Sequence, residues 1–169
     1  MNLQGIRLID TPEEVKWVCD MFRIMIEDFC EAIQNGEKAL ELCEKKSAKE
    51  FIKTEISKWK VLLCLIKNQD HIYKFHAAVK KAPVEPPEIR LPAANQDYQR
   101  IMEIMRAETD NILELIDLLS SAGSPLLLTA EDKEHEDTFW FGPDLVEQLQ
   151  LKVKIMMNHW VDPQRLFSK

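Results

Sequence analysis

Apolar residues recur at helical spacing along most of this chain, and their rows define its elements. One row is Val15, Phe22, Phe29, Gly36 and Cys43, and a second is Cys19, Ile26, Ile33 and Leu40. Both keep heptad phase straight through Asn35-Gly36, a pair that would otherwise read as a helix stop. The phase predicts one helix over residues 12 to 45 with Gly36 as a weak point; the alternative is a break at Gly36 and a short second helix. Thr11-Pro12-Glu13-Glu14 marks the start: a capping threonine, a proline where no N–H is needed, and a glutamate that closes a capping box.

Ser47-Ala48-Lys49-Glu50 reads as another capping box. The helix it opens carries the rows Ile52, Trp59, Ile66, Tyr73 and Ile56, Leu63, Asp70, Ala77, and can run to Pro83. Two helices of similar length joined at Lys46-Ser47 should pair as an antiparallel hairpin, each arm roughly 50 Å long at about 1.5 Å per residue. In that register, residues whose numbers sum to 93 lie opposite one another. It predicts an ion pair between Arg23 and Asp70, and places Phe29 near Cys64 and Gly36 near Ser57.

Four prolines, Pro83, Pro86, Pro87 and Pro92, then block helix and favour extended chain, read here as a stiff crossover strap over residues 83–95. A third helix is predicted over 96–121, with Tyr98, Ile101, Met105, Ile112, Ile116 and Leu119 on one face. Leu126-Leu127-Leu128 suits a buried extended piece, and residues 131–137 form an acidic connector. Phe139, Trp140 and Phe141 should tuck their rings under the end of the helices, because aromatic burial gives the largest apolar gain available. A last helix opens at Asp144 and uses Leu145, Leu149, Val153, Met156 and Trp160. The expected fold is therefore all-α: an antiparallel bundle of about four main helices, with a long N-terminal hairpin (1–82), the proline-rich connector (83–95) and a C-terminal part (96–169).

Composition narrows the function classes. Of 169 residues, 46% are hydrophobic and 30% charged, enough to build a core, while only 4 are glycine, too few for the turns of a barrel or Rossmann sheet. A formal charge of -7 argues against sequence-independent nucleic-acid binding, which rests on neutralising phosphates. No apolar run approaches the roughly 18–20 residues that span a bilayer, and no basic amphipathic face marks a membrane surface helix. The N-terminus has no secretory pattern, and Cys19, Cys30, Cys43 and Cys64 have no Cys-x-x-Cys spacing, so they are read as reduced, buried, small hydrophobes of a cytoplasmic protein.

Candidate chemistry is sparse. No Glu-x-x-His occurs, which argues against a di-metal carboxylate centre. His71 and His76 are five apart and do not share a helix face, so a three-histidine site with His159 is not expected. With no Gly-x-Ser-x-Gly and no phosphate loop, neither a catalytic residue nor a cofactor is assigned. Two carboxylates stand off-pattern: Glu108 between Met105 and Ile112 on the apolar face of the third helix, and Asp70 at a heptad position of the second. Glu108 should be the most buried carboxylate, with a basic or hydrogen-bonding partner from another helix. With Arg23, these two form the candidate ligand-binding set: Glu108, Asp70 and Arg23.

A wheel of the first helix sharpens the functional expectation. Lys16, Asp20, Arg23, Glu27, Glu31 and Gln34 fall within a strip of roughly 80°, whereas apolar residues, including Trp17, Met21 and Ile24, spread over most of the rest. One buried stripe needs about 100°. The surplus predicts a homo-oligomer, a dimer through this wide face, acting without catalysis in assembly or partner binding. The alternative is a bundle that binds a small ligand or metal at an internal carboxylate and histidine site.

Overall fold

The computed structural model describes residues 11–81, 95–132, 134 and 139–167. Among them the fold is all-α, with five helices and no strand: α1 (Pro12–Leu42), α2 (Lys46–Val79), α3 (Gln96–Ser121), α4 (Leu145–Asn158) and α5 (Gln164–Phe167). The proline-rich connector and most of the acidic one lie outside the described residues.

α1 begins as its sequence dictates. The Thr11 hydroxyl accepts from the Glu14 amide (3.2 Å) and the Glu14 carboxylate accepts from the Thr11 amide (3.0 Å), a complete capping box. The helix runs unbroken through Gly36, which is buried. A Cβ there would lie 2.9 Å from the Trp59 ring and 3.0 Å from Ile56, so glycine is what lets the two arms approach.

The second capping box does not form. α2 starts at Lys46 after a connection of extended residues, Cys43 and Lys45, which puts Ser47 inside the first turn. With the cap two positions earlier, at Lys45, Glu50 pairs with Lys53 instead (3.3 Å). The hairpin is nonetheless antiparallel and close to the expected register: Gly36 meets Ile56 and Trp59, Glu37 pairs with Lys60 (2.9 Å), and the Phe22 and Tyr73 rings lie 5.8 Å apart.

The main packing runs between chain neighbours, α1 on α2, α2 on α3 and α3 on α4. α2 therefore uses two faces. Ile56 and Leu63, with Ile52 and Trp59 beside them, meet Ile33, Ile26, Phe29 and Leu40 of α1. Val61 and Cys64, about 140° and 80° around the helix from Ile56, meet Leu115 of α3. α3 starts where Asn95 accepts from the Asp97 and Tyr98 amides (2.8 and 3.1 Å).

The chain's last third packs more thinly. Leu126 and Leu127 cover the Val61–Cys64–Leu115 cluster, while Leu128 faces out. Phe139 and Phe141 are half-buried, and the Phe141 carbonyl accepts from the Ala130 amide (2.8 Å). Trp140 lies between them at 95% exposure, so the expectation of three tucked rings fails at the middle one. Neighbouring residues in extended or bent backbone cannot all point the same way. α4 has no buried residue. The C-terminal turn compensates: α5, which the apolar pattern did not foretell, buries Phe167 against Ala78, Ile101 and Met105, with its ring edge-on to Tyr98 at 6.0 Å.

Gly36 offers a direct check on the hairpin. Replacing it with leucine should lower stability by about 1–3 kcal/mol through overpacking against Trp59 and Ile56. Urea denaturation would show the loss, and an unchanged midpoint would mean that the arms are not in contact there.

Candidate functional site

The buried face of α3 spans an arc of about 180° and carries Ile101, Met102, Ile104, Met105, Glu108, Asn111, Ile112 and Leu115. Two polar residues thus fall within an apolar stripe, and each is met by α2. The Asn111 amide donates to the Cys64 carbonyl (2.9 Å). Glu108 gathers three partners from two helices. Asn68 of α2 and Lys152 of α4 (2.5 Å) donate to Oε1, and His71 of α2 meets Oε2 through Nδ1 (2.7 Å). The expected cross-helix partner is therefore present.

Burial pushes the Glu108 carboxyl up, but the His71 hydrogen bond and the Lys152 charge outweigh it, and its pKa lies below the usual carboxylate range. An ionised carboxylate can only accept, so His71 carries its hydrogen on Nδ1. In the neutral ring, Nε2 is then an acceptor.

Glu108 is not the most buried carboxylate. Asp70 is 2% exposed against 6% for Glu108, because the short Asp side chain stays between the helices while Glu reaches toward an opening. Nor does Asp70 meet Arg23. Asp70 pairs with Lys74 one turn on (2.5 Å), and its Oδ1 has no hydrogen-bond partner. Arg23 lies in the polar strip on the outer side of α1 and pairs with Glu27 (2.9 Å). Matching numbers across a hairpin set the height of two residues but not the faces they occupy. The three predicted residues are therefore not one site.

Glu108 opens instead onto a cleft of about 780 Å³ between α2, α3, α4 and the α5 turn, within the usual size of small-molecule sites. Its wall is mostly apolar, with Ile72, Phe75, Ile104, Met105, Ile155 and Leu166 among its residues. His71, His76 and His159 all line it, although His71 and His76 are five apart: the cleft is wide enough to be reached from two sides of α2. No group of three or more metal-ligating side chains comes together among the described residues. His159 instead holds Asp162 (2.6 Å), which Arg165 also approaches (3.5 Å). Asn68, Asn111 and Lys152 were not singled out from the sequence; only a neighbouring helix reveals that they surround an off-pattern glutamate.

All four thiols are free, but Cys64 alone is fully buried and the other three are half-buried. Burial, with Glu114 nearby, pushes the Cys64 thiol up to about 11, which makes it a poor nucleophile. Among the described residues, no helix is long and apolar enough to cross a membrane. Comparison with family models, with curated proteins and with solved structures finds no match to this chain.

Two outcomes follow. Glu108→Ala, which strands His71 and Lys152, should destabilise by about 1–3 kcal/mol. Because the folded pKa is depressed, the carboxylate's contribution is present above the ordinary Glu range and is lost as pH falls through the folded value. Glu108→Gln should therefore flatten part of the stability loss seen in acid, as urea titrations of both proteins would show. Iodoacetamide at pH 8 should label at most three of the four thiols in the folded chain, with Cys64 reacting only after unfolding.

Proposed function

We propose that this chain is a non-catalytic assembly module that pairs with a second copy of itself through the N-terminal half of α1. The observation that carries the reading is an apolar arc on α1 that stands open among the described residues: Trp17, Met21, Ile24 and Met25 are 64%, 41%, 50% and 39% exposed. The arc lies to one side of the row that meets α2, roughly 120° around the helix, and is bordered by the polar strip.

That strip favours a like copy over an unlike one. In an antiparallel pair centred between Met21 and Phe22, Lys16 stands level with Glu27 and Asp20 level with Arg23. Opposite charges then meet along the charged edge of the seam, the self-complementarity that a twofold interface requires. Within one chain the same residues are held in place by the Lys16–Asp20 (2.5 Å) and Arg23–Glu27 (2.9 Å) pairs. Four thiols, none of them in a disulfide, support assignment to the reducing cytoplasm.

Light scattering at micromolar concentration should give twice the 19.7 kDa chain mass. Ile24→Glu, at a half-exposed position, should return the chain mass and leave helicity unchanged. A monomeric wild type would remove the reading.

A further inference from the structure

The cleft beside Glu108 lies apart from the α1 arc, and the hydrogen-bonding capacity of its wall defines what it can hold. Both carboxylates in the wall are already matched by cations of this chain: Glu108 by Lys152, and Asp162 by Arg165 with His159 beside it. A cationic ligand finds no vacant anion there. An anionic ligand would place an uncompensated charge among apolar side chains, which is costly. The occupant that fits is uncharged.

The polar capacity left over is specific. Lys152 gives one hydrogen to Glu108, and its ammonium has two more, which can only be donated. His71 engages Glu108 through Nδ1, which leaves Nε2, an acceptor in the neutral ring. A group that both accepts from an amine and donates to an imidazole nitrogen, while carrying no charge, is a hydroxyl. Beyond these groups the wall is mostly apolar, from Ile72 and Ile104 out to Phe75, Ile155 and Leu166 at its half-exposed rim, with His76 and the His159–Asp162 pair as its other polar members. We propose that the cleft between α2, α3 and α4 binds an uncharged apolar molecule bearing a hydroxyl, such as a long-chain alcohol. Its hydroxyl would sit between Lys152 and His71, and its hydrocarbon would lie along the apolar wall.

The geometry explains why Glu108 is held so firmly. Its three partners fix the tautomer and orientation of His71 and the position of the Lys152 ammonium, so Glu108 acts as a positioning residue. The cleft and the outer arc of α1 lie on different helices, so ligand binding and self-association can be tested independently.

Calorimetric titration of the full chain with n-decanol, decyl methyl ether, decanoate and decyltrimethylammonium, each below its aggregation limit, distinguishes the possibilities. The expected result is saturable one-to-one binding of n-decanol. The ether, which accepts but cannot donate, and both ions should bind about tenfold more weakly or worse. Ile155→Glu, at the exposed rim, should abolish n-decanol binding while helicity and the oligomeric state by light scattering are unchanged. Lys152→Met should erase most of the preference for the alcohol over the ether; if it fails to fold, the Ile155 variant and the probe series still decide. Absence of saturable n-decanol binding, equal binding of alcohol and ether, tighter binding of decanoate, or capture of the cleft by an amphipathic peptide with no small-probe binding would each overturn the proposal.

Discussion

Everything in this structure depends on α2 having to satisfy two neighbours at once. Its Ile56–Leu63 face is taken by α1 and its Val61–Cys64 face by α3. With both faces in use, α2 is half-buried along most of its length. With α3 on the other side of α2, the main packing of α1 is a single arc. Its outer apolar arc is thus a consequence of where α2 places it. The same constraint makes the cleft. α4, at 14 residues, is much shorter than α3, at 26, and leaves a cleft lined by α2, α3 and α4.

The internal charges show two solutions to one electrostatic problem. Burying a carboxylate requires compensation close at hand, or the group neutralises instead. Asp70 solves it locally, with Lys74 one turn along the same helix. Glu108 solves it through tertiary structure, drawing on residues 40, 37 and 44 positions away. The first arrangement can form in an isolated helix, whereas the second exists only once α2, α3 and α4 have met. Desolvation offsets much of the attraction in a buried pair of that kind, so breaking it costs more than forming it gains.

Much of this was legible from periodicity. The limits of α3, the capping box of α1 and its continuity through Gly36 all follow from apolar phase and local hydrogen bonding, which are properties of the chain itself. The start of α2 was misplaced because a Ser-x-x-Glu pattern only caps a helix if the preceding turn leaves the serine outside it, and the turn is set by how the arms pack. The existence of a polar centre was legible in Glu108, because a glutamate among Met105, Ile112 and Leu115 has no place on an apolar stripe without a partner. Its composition was not. Asn68, His71 and Lys152 are unremarkable on their own helices, and they converge only through the crossing of three elements. The Arg23–Asp70 pair failed for the related reason that register was inferred without rotation.

The chain's four tryptophans happen to be divided among these regions. Trp59 lies against Gly36 in the hairpin seam, Trp160 packs on the Ile101–Phe167 cluster, Trp17 stands on the uncovered arc of α1, and Trp140 sits in water. An indole's emission shifts to shorter wavelength as its surroundings lose water. Taken one at a time in single-tryptophan variants, they are separate reporters: one for the closing of the arms, one for the docking of the C-terminal turn, one for the surroundings of the α1 arc, and one that serves as a solvent reference.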